Sequence, residues 1–267
     1  MPLISLAAVT LASAAIATDP HTDVLLRLPP GGTRFTTGAY DFNGGQVVAT
    51  DARVFRGAFG EAGQPDFTDD PGFTAPSGSL PTAMLVGFDI VDAVRIWDGA
   101  DFDALSPSTI TCERFTSFVT SPPGAGQTAP GFWLDTTGGS GGVHVHMSYY
   151  LDPPVNPGVY LLTLAVRTNH PTIENPEPIF IVFDASNAGG SAEVDAAVAY
   201  VEALLAPEPT CPGDVNGDGF TNAADFTILA GNFGSSVANG TGGDLNDDGL
   251  VNASDFVILA GDFGCVP

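Results

Sequence analysis

Two stretches near the C-terminus space oxygen-bearing side chains as a hard cation requires. In the first, Asp214, Asn216 and Asp218 occupy positions 1, 3 and 5, with Gly219 at 6, Phe220 at 7, Asn222 at 9 and Asp225 at 12. In the second, Asp244, Asn246, Asp248, Gly249, Leu250, Asn252 and Asp255 take the same places. Carboxylate and amide oxygens at this spacing, a backbone carbonyl at position 7 and a glycine at the sharp turn make the ligand pattern of a calcium loop. One ion per loop, two in all, is the expectation. A polar turn that merely precedes a helix would not need every ligand position filled twice. The loops open a longer duplication: 213–234 reads GDVNGDGFTNAADFTILAGNFG and 243–264 reads GDLNDDGLVNASDFVILAGDFG, an offset of 30 residues.

Each loop runs into a short helix, expected over 225–233 and 255–263. Phe226, Leu229 and Phe233 share one face, and Phe256, Leu259 and Phe263 repeat it. Helices of about nine residues do not persist alone in water, so each apolar stripe needs a partner, and the other repeat is nearest. Asp225 and Asp255 stand where the helix dipole favours negative charge. Gly234 and Gly264 suit helix exits. Cys211 and Cys265 flank the pair, and a disulfide between them would staple its two ends. Cys112 is left over and reads as a small buried residue.

The repeat pair resembles a type I dockerin. Position 12 is Asp rather than the Glu usual in EF-hands, no long helix precedes either loop, and the post-loop segments follow D-F-x-x-L. Such repeats occur in exported bacterial proteins of planctomycete type. The resemblance implies calcium-dependent attachment to a cohesin-like or other cell-surface protein. The candidate contact residues are Ala223, Ala224 and Thr227 in one repeat and Ala253, Ser254 and Val257 in the other. Positions 10 and 11, Ala223–Ala224 and Ala253–Ser254, depart from clostridial dockerins where cohesin is read.

The elements that carry these residues sit in an acidic chain. There are 31 acidic residues against 7 basic, a formal net charge of −24, and every basic residue is Arg. Phosphate recognition needs basic patches, so nucleic acid and anionic membrane surfaces are excluded as partners. An apolar run from Leu3 to Ala17 ends in the A-x-A site Ala15-Ile16-Ala17, which reads as a signal peptide over 1–17. The expected destination is secreted, cell-surface or periplasmic, where calcium is plentiful and disulfides persist. The expected division is a β-sandwich body over 18–188, a helix packed on it over 189–205, a Pro-rich linker over 206–210 and the all-α calcium module over 211–267. Val194, Ala197, Val198, Val201, Leu204 and Leu205 trace the helical stripe, with Ser191 as N-cap.

The body reads as mainly β, a jelly-roll-like sandwich. Strands are expected over 47–55, 83–97, 109–119, 143–151, 159–167 and 179–183, divided by Gly/Pro breakers. Its foremost chemical feature is His144-Val145-His146, whose imidazoles share a face if 143–151 is one strand. The pair would suit a metal ion, with His170 as a third nitrogen and Glu113 or Asp152 as a carboxylate. A polar strand face carrying two histidines explains the pair equally simply, because spacing fixes no further ligand; the sequence favours no zinc effect. Asp98, Asp101 and Asp103 beside Trp97 would suit glycoside hydrolysis only at a fixed carboxylate separation, and read more simply as an exposed acidic loop. Trp97, Trp133, Tyr149 and Tyr150 would stack on sugars or fill the core. The resulting reading is an exported non-catalytic β-sandwich, surface- or glycan-binding, displayed through a calcium-dependent docking module. The alternative is a small polysaccharide-active enzyme carrying that module.

Overall fold

The computed structural model describes residues 22–186, 192–205 and 211–266. The signal segment 1–17, Ser191 and the linker 206–210 lie outside the described residues. The chain divides into two units, Met1–Leu204 and Leu205–Pro267.

The first unit is β-rich, as its alternating apolar runs and breakers demand. Among the described residues its strands form three sheets. One has the order β12-β6-β1-β2-β3, built from β12 (Val143–Val145), β6 (Phe73–Ala75), β1 (Thr22–Arg27), β2 (Thr36–Asp41) and β3 (Gln46–Ala49). A four-stranded sheet has the order β10-β9-β13-β5, from β10 (Ser117–Thr120), β9 (Ile110–Arg114), β13 (Ser148–Leu151) and β5 (Phe67–Thr68). The third has the order β11-β7-β14-β15-β4, from β11 (Trp133–Thr136), β7 (Leu85–Ile90), β14 (Val159–Thr168), β15 (Ile179–Asp184) and β4 (Val54–Ala58), with β8 (Arg95–Ile96) beside β14. Val24 and Phe73 from the first sheet, Ile110 and Tyr149 from the second, and Phe88 and Leu162 from the third pack into one core. Cys112 is buried there as a free thiol. Burial, and then the charge of Asp152, push its pKa up, which leaves it unreactive.

Two of the expected strands are each two strands in different sheets. The run 47–55 breaks at 50–53, with β3 on an edge of the five-stranded sheet and β4 on an edge of the six-stranded one. Thr37 holds the break through both its hydroxyl and its carbonyl, bonded to Ala52. The run 143–151 likewise leaves the five-stranded sheet after Val145 and enters the four-stranded sheet at Ser148. Apolar alternation continues through such a crossing, so periodicity alone joins what the sheets separate. Strands β1, β2, β5, β6 and β11 were not expected.

Helix α1 (Ala192–Leu205) belongs to this unit and buries Val194, Ala197, Val198 and Val201. Arg56 on β4 bonds Asp195 of the helix at 2.7 Å, and Tyr200 meets Trp97 at a ring separation of 5.4 Å. Val182 pairs with Arg56 and Leu161 pairs with Val182 in register; both are buried on that outer face of the sheet. Leu204, expected in the stripe, is exposed.

The second unit holds α2 (Ala223–Asn232) and α3 (Ala253–Asp262), each starting two residues before the expected helix. The reason lies at the caps. Asn222 and Asn252 are N-caps with nearly the same backbone angles, φ −147° and ψ −163° against φ −147° and ψ −162°. Each closes a capping box with Asp225 or Asp255 at the third helical position.

Candidate metal centres

The two C-terminal loops share most of their hydrogen bonds. In the first, Asp214 accepts from the backbone N–H groups of Gly217, Asp218 and Gly219 at 2.8, 3.2 and 2.8 Å. Asp218 accepts from Phe220 N–H at 3.0 Å. Asp225 accepts from Val215, Asn216 and Asn222 at 2.9, 3.1 and 2.8 Å. In the second, Asp244 accepts from Asp248 and Gly249, Asp248 from Leu250, and Asp255 from Leu245, Asn246 and Asn252. These bonds wrap the chain around its own carboxylates. Asp225 and Asp255 are fully buried; burial pushes each pKa up, but the backbone N–H bonds outweigh it and hold both below the usual carboxylate range. The sharp turns fall at Gly219 (φ 90°) and Gly249 (φ 80°), in the left-handed region.

The fit to calcium is chemical. Each loop offers three carboxylates, an Asn amide and a position-7 carbonyl, all hard oxygen donors, and no basic residue follows Arg167. Asn222 and Asn252 direct their side-chain oxygens at the helix starts, bonding Ala224 and Ser254 N–H at 2.8 Å. Position 9 therefore serves first as a cap.

The two repeats lock around each other with approximate twofold symmetry. Thr221, at loop position 8, exchanges backbone bonds with Gly264 and Cys265 at the exit of α3. Val251, its counterpart, exchanges bonds with Gly234 and Ser235 at the exit of α2. A Cβ on Gly213 would stand 3.1 Å from Leu259 Cα, and one on Gly243 would stand 2.7 Å from Leu229 Cα, so each loop enters against the other helix. The core is Leu229, Val251 and Leu259, with Val215, Val237 and Leu245 against it. The expected phenylalanine stripes are corrected here. Phe226, Phe233, Phe256 and Phe263 are 42–58% exposed, because helices this short and this closely crossed bury only their central leucines. Phe226 and Phe256 meet edge to face at 6.1 Å. The six candidate contact residues, Ala223, Ala224, Thr227, Ala253, Ser254 and Val257, are all exposed. Cys211 and Cys265 are bonded, with Cα atoms 5.7 Å apart.

This unit is a paired loop–helix module held by one disulfide. Residues 212–263 match the family model described as "Dockerin type I domain". The module is a type I dockerin, and dockerin domains bind calcium. The chain is also similar to a solved structure titled "Type II cohesin-dockerin domain from Bacteroides cellolosolvens", with 43% identity over 22% of this chain and 95% of that one, at a TM-score of 0.20. No curated protein matches the chain. The body is unrecognised.

In the body, the structure brings His144 and His146 together although they do not share one strand. Their Nε2 atoms lie 3.1 Å apart and the rings stand at 90°. The carboxylate beside them belongs to Asp23 of β1, not to Glu113 or Asp152. Asp152 accepts from the hydroxyls of Thr109 and Thr111, and Glu113 lies on β9 in the four-stranded sheet. His170 bonds Thr168 and Thr172 within its own turn. His144 Nε2 is 3.2 Å from Asp23 Oδ2, and His146 Nε2 is 3.8 Å from Asp23 Oδ1.

Register explains the meeting. Strand β6 lies between β1 and β12, with Thr74 opposite both Leu25 and His144. Val24, Phe73 and Val145 face the core, so Asp23, Thr74 and His144 fall on the other face of the same sheet. Thr74 Oγ1 donates to Asp23 Oδ2, and Gly72 N–H donates to Oδ1 at 3.1 Å. Phe42 stacks on His144 at 3.9 Å. His146 Nδ1 sits 2.9 Å from the Asp69 carbonyl and 3.4 Å from the Asp70 carboxylate. The Asp70 bond first, then the Asp69 carbonyl and the Asp23 charge, outweigh burial and raise the imidazole to about 9. Asp23 escaped the sequence reading because a lone Asp ahead of Val24–Leu25–Leu26 looks like a strand end. Its one signal is an acid abutting a buried strand.

The acidic loop is folded around its own carboxylates. Asp98 accepts from Ala100 and Asp101 N–H, and Asp101 from Asp103 N–H, so these carboxylates shape a turn. Trp97 is buried against Phe102 and Tyr200. Tyr149 is buried and donates to the Pro71 carbonyl at 3.0 Å, while Trp133 is half-exposed under the Arg167 guanidinium at 3.9 Å. No helix among the described residues is long and apolar enough to cross a membrane.

Proposed function

We propose that this is an exported protein whose β-rich body is displayed by calcium-dependent docking of residues 211–267 onto a cohesin-like partner. The observation that supports it is the duplicated frame of backbone bonds around the acidic side chains of both loops. Asp214, Asn216, Asp218, Phe220 and Asp225 hold one ion and Asp244, Asn246, Asp248, Leu250 and Asp255 a second, with Asn222 and Asn252 capping the helices beside them. Calcium, when bound, supplies the positive charge that offsets three carboxylates per loop. The capped helix starts then present Ala223, Ala224 and Thr227, and Ala253, Ser254 and Val257, beside the exposed Phe226 and Phe256. That face is small, apolar and almost uncharged, so docking depends weakly on salt. The body is the cargo, read as a non-catalytic surface- or glycan-binding domain.

Calorimetry of the full chain with a type I cohesin domain tests the docking. Binding is expected in millimolar calcium and absent in chelator. The near-twofold face predicts that Ala224→Arg alone leaves binding largely intact and that Ala224→Arg with Ser254→Arg abolishes it. Equal binding with and without calcium, or no binding in either, overturns the reading. Loss from one substitution alone would show a single fixed orientation.

A further inference from the structure

We propose that Asp23, His144 and His146 form a binding site for one divalent transition-metal ion, zinc being the probe, on the outer face of the five-stranded sheet. The site concerns the body and is independent of docking.

The spacing carries the proposal. Zinc bonds to nitrogen and oxygen are about 2.0–2.2 Å, which in tetrahedral geometry puts neighbouring donor atoms about 3.3 Å apart. Here the two Nε2 atoms are 3.1 Å apart, and the nearer Nε2–carboxylate distance is 3.2 Å. Three donors from two separate stretches of chain thus converge, with the third pair, His146 Nε2 and Asp23 Oδ1, at 3.8 Å. Two imidazoles and one carboxylate suit a first-row divalent ion rather than calcium.

The donors are also pre-aimed. Asp23 is almost wholly buried, and its ion-pair partners among the described residues are these two imidazoles alone. Gly72 N–H and Thr74 Oγ1 fix its carboxylate facing the two imidazoles. Because the Asp69 carbonyl only accepts, His146 Nδ1–H donates to it, which turns Nε2 toward Asp23. A carboxylate or carbonyl behind a ligating histidine is the usual outer support of a metal site, and Asp70 adds one. Space is kept as well: a Cβ on Gly72 would come within 2.6 Å of His146 Nε2 and 2.8 Å of Asp23 Oδ1. The His144 and His146 side chains are 36% and 32% exposed, so the site opens to solvent. Three protein donors with one free position is the ligand count of zinc sites that hold water or an anionic ligand, not of closed structural sites.

The competing account is a hydrogen-bonded His–His–Asp cluster with no metal. Full-length protein, stripped with chelator and returned to saturating calcium so that the dockerin loops are filled, separates the two by zinc titration. One zinc per chain is expected. His144→Ala and His146→Ala should each weaken it by more than about a hundredfold, beyond the tenfold to hundredfold cost of losing outer support, while His170→Ala keeps it. No uptake by the unaltered chain, or unchanged uptake in both variants, overturns the proposal. Imidazole nitrogen NMR of the unaltered chain serves even if a variant misfolds. Of the four histidines, His144 and His146 should shift with zinc; a shift of neither overturns the site.

Discussion

The dockerin loops and the His–Asp cluster solve the same problem, gathering donors around a point, in opposite ways. Each loop takes all its donors from one short stretch, and local backbone bonds curl the chain into place. The cluster takes Asp23 from β1 and His144 from β12, more than a hundred residues away, and only the register of β6 between them makes them neighbours. The difference teaches where each site's robustness comes from. The loops depend on local closure, one disulfide and three buried apolar residues. The cluster depends on the body's core, which orders the sheet whether or not a metal is present.

This contrast can be broken experimentally. The largest effect should come from reducing Cys211–Cys265, which closes a loop across 54 residues. The chain-entropy relation assigns that loop about 4 kcal/mol. The denaturant midpoint of the dockerin transition should fall accordingly, with the body transition unchanged; a matching fall in the body would mean that the two units do not unfold separately.

Next in size are Asp225→Ala and Asp255→Ala. Each should remove one bound calcium and, at a hundredfold excess over the dissociation constant, about 2.7 kcal/mol of ligand-linked stability. Ion counting and melting in calcium and in chelator check this, and an unchanged count in either variant would refute the ligand assignment. The smallest and sharpest change is Gly72→Ala. The added methyl intrudes between His146 and Asp23, so zinc affinity should drop at least about tenfold. The body should lose only about 1–3 kcal/mol, and calcium uptake should not change. Zinc binding that survives Gly72→Ala intact would place the ion elsewhere.

The sequence by itself determined the dockerin, because a calcium loop is a local object. Its ligands, its turn glycine and its capping residue all lie within one stretch, and duplication repeats the message. It also determined that the body is β, since breakers and apolar alternation act over a few residues. It did not determine that Phe226 and Phe256 stay exposed while Leu229 and Leu259 fill the core, because that depends on how closely two helices cross. Nor did it determine that the runs 47–55 and 143–151 each cross from one sheet to another, since alternation continues through the bend. Above all, it did not pair Asp23 with His144 and His146. Strand order and register are set by packing the whole core, and a carboxylate brought in from a distant strand leaves no spacing to read.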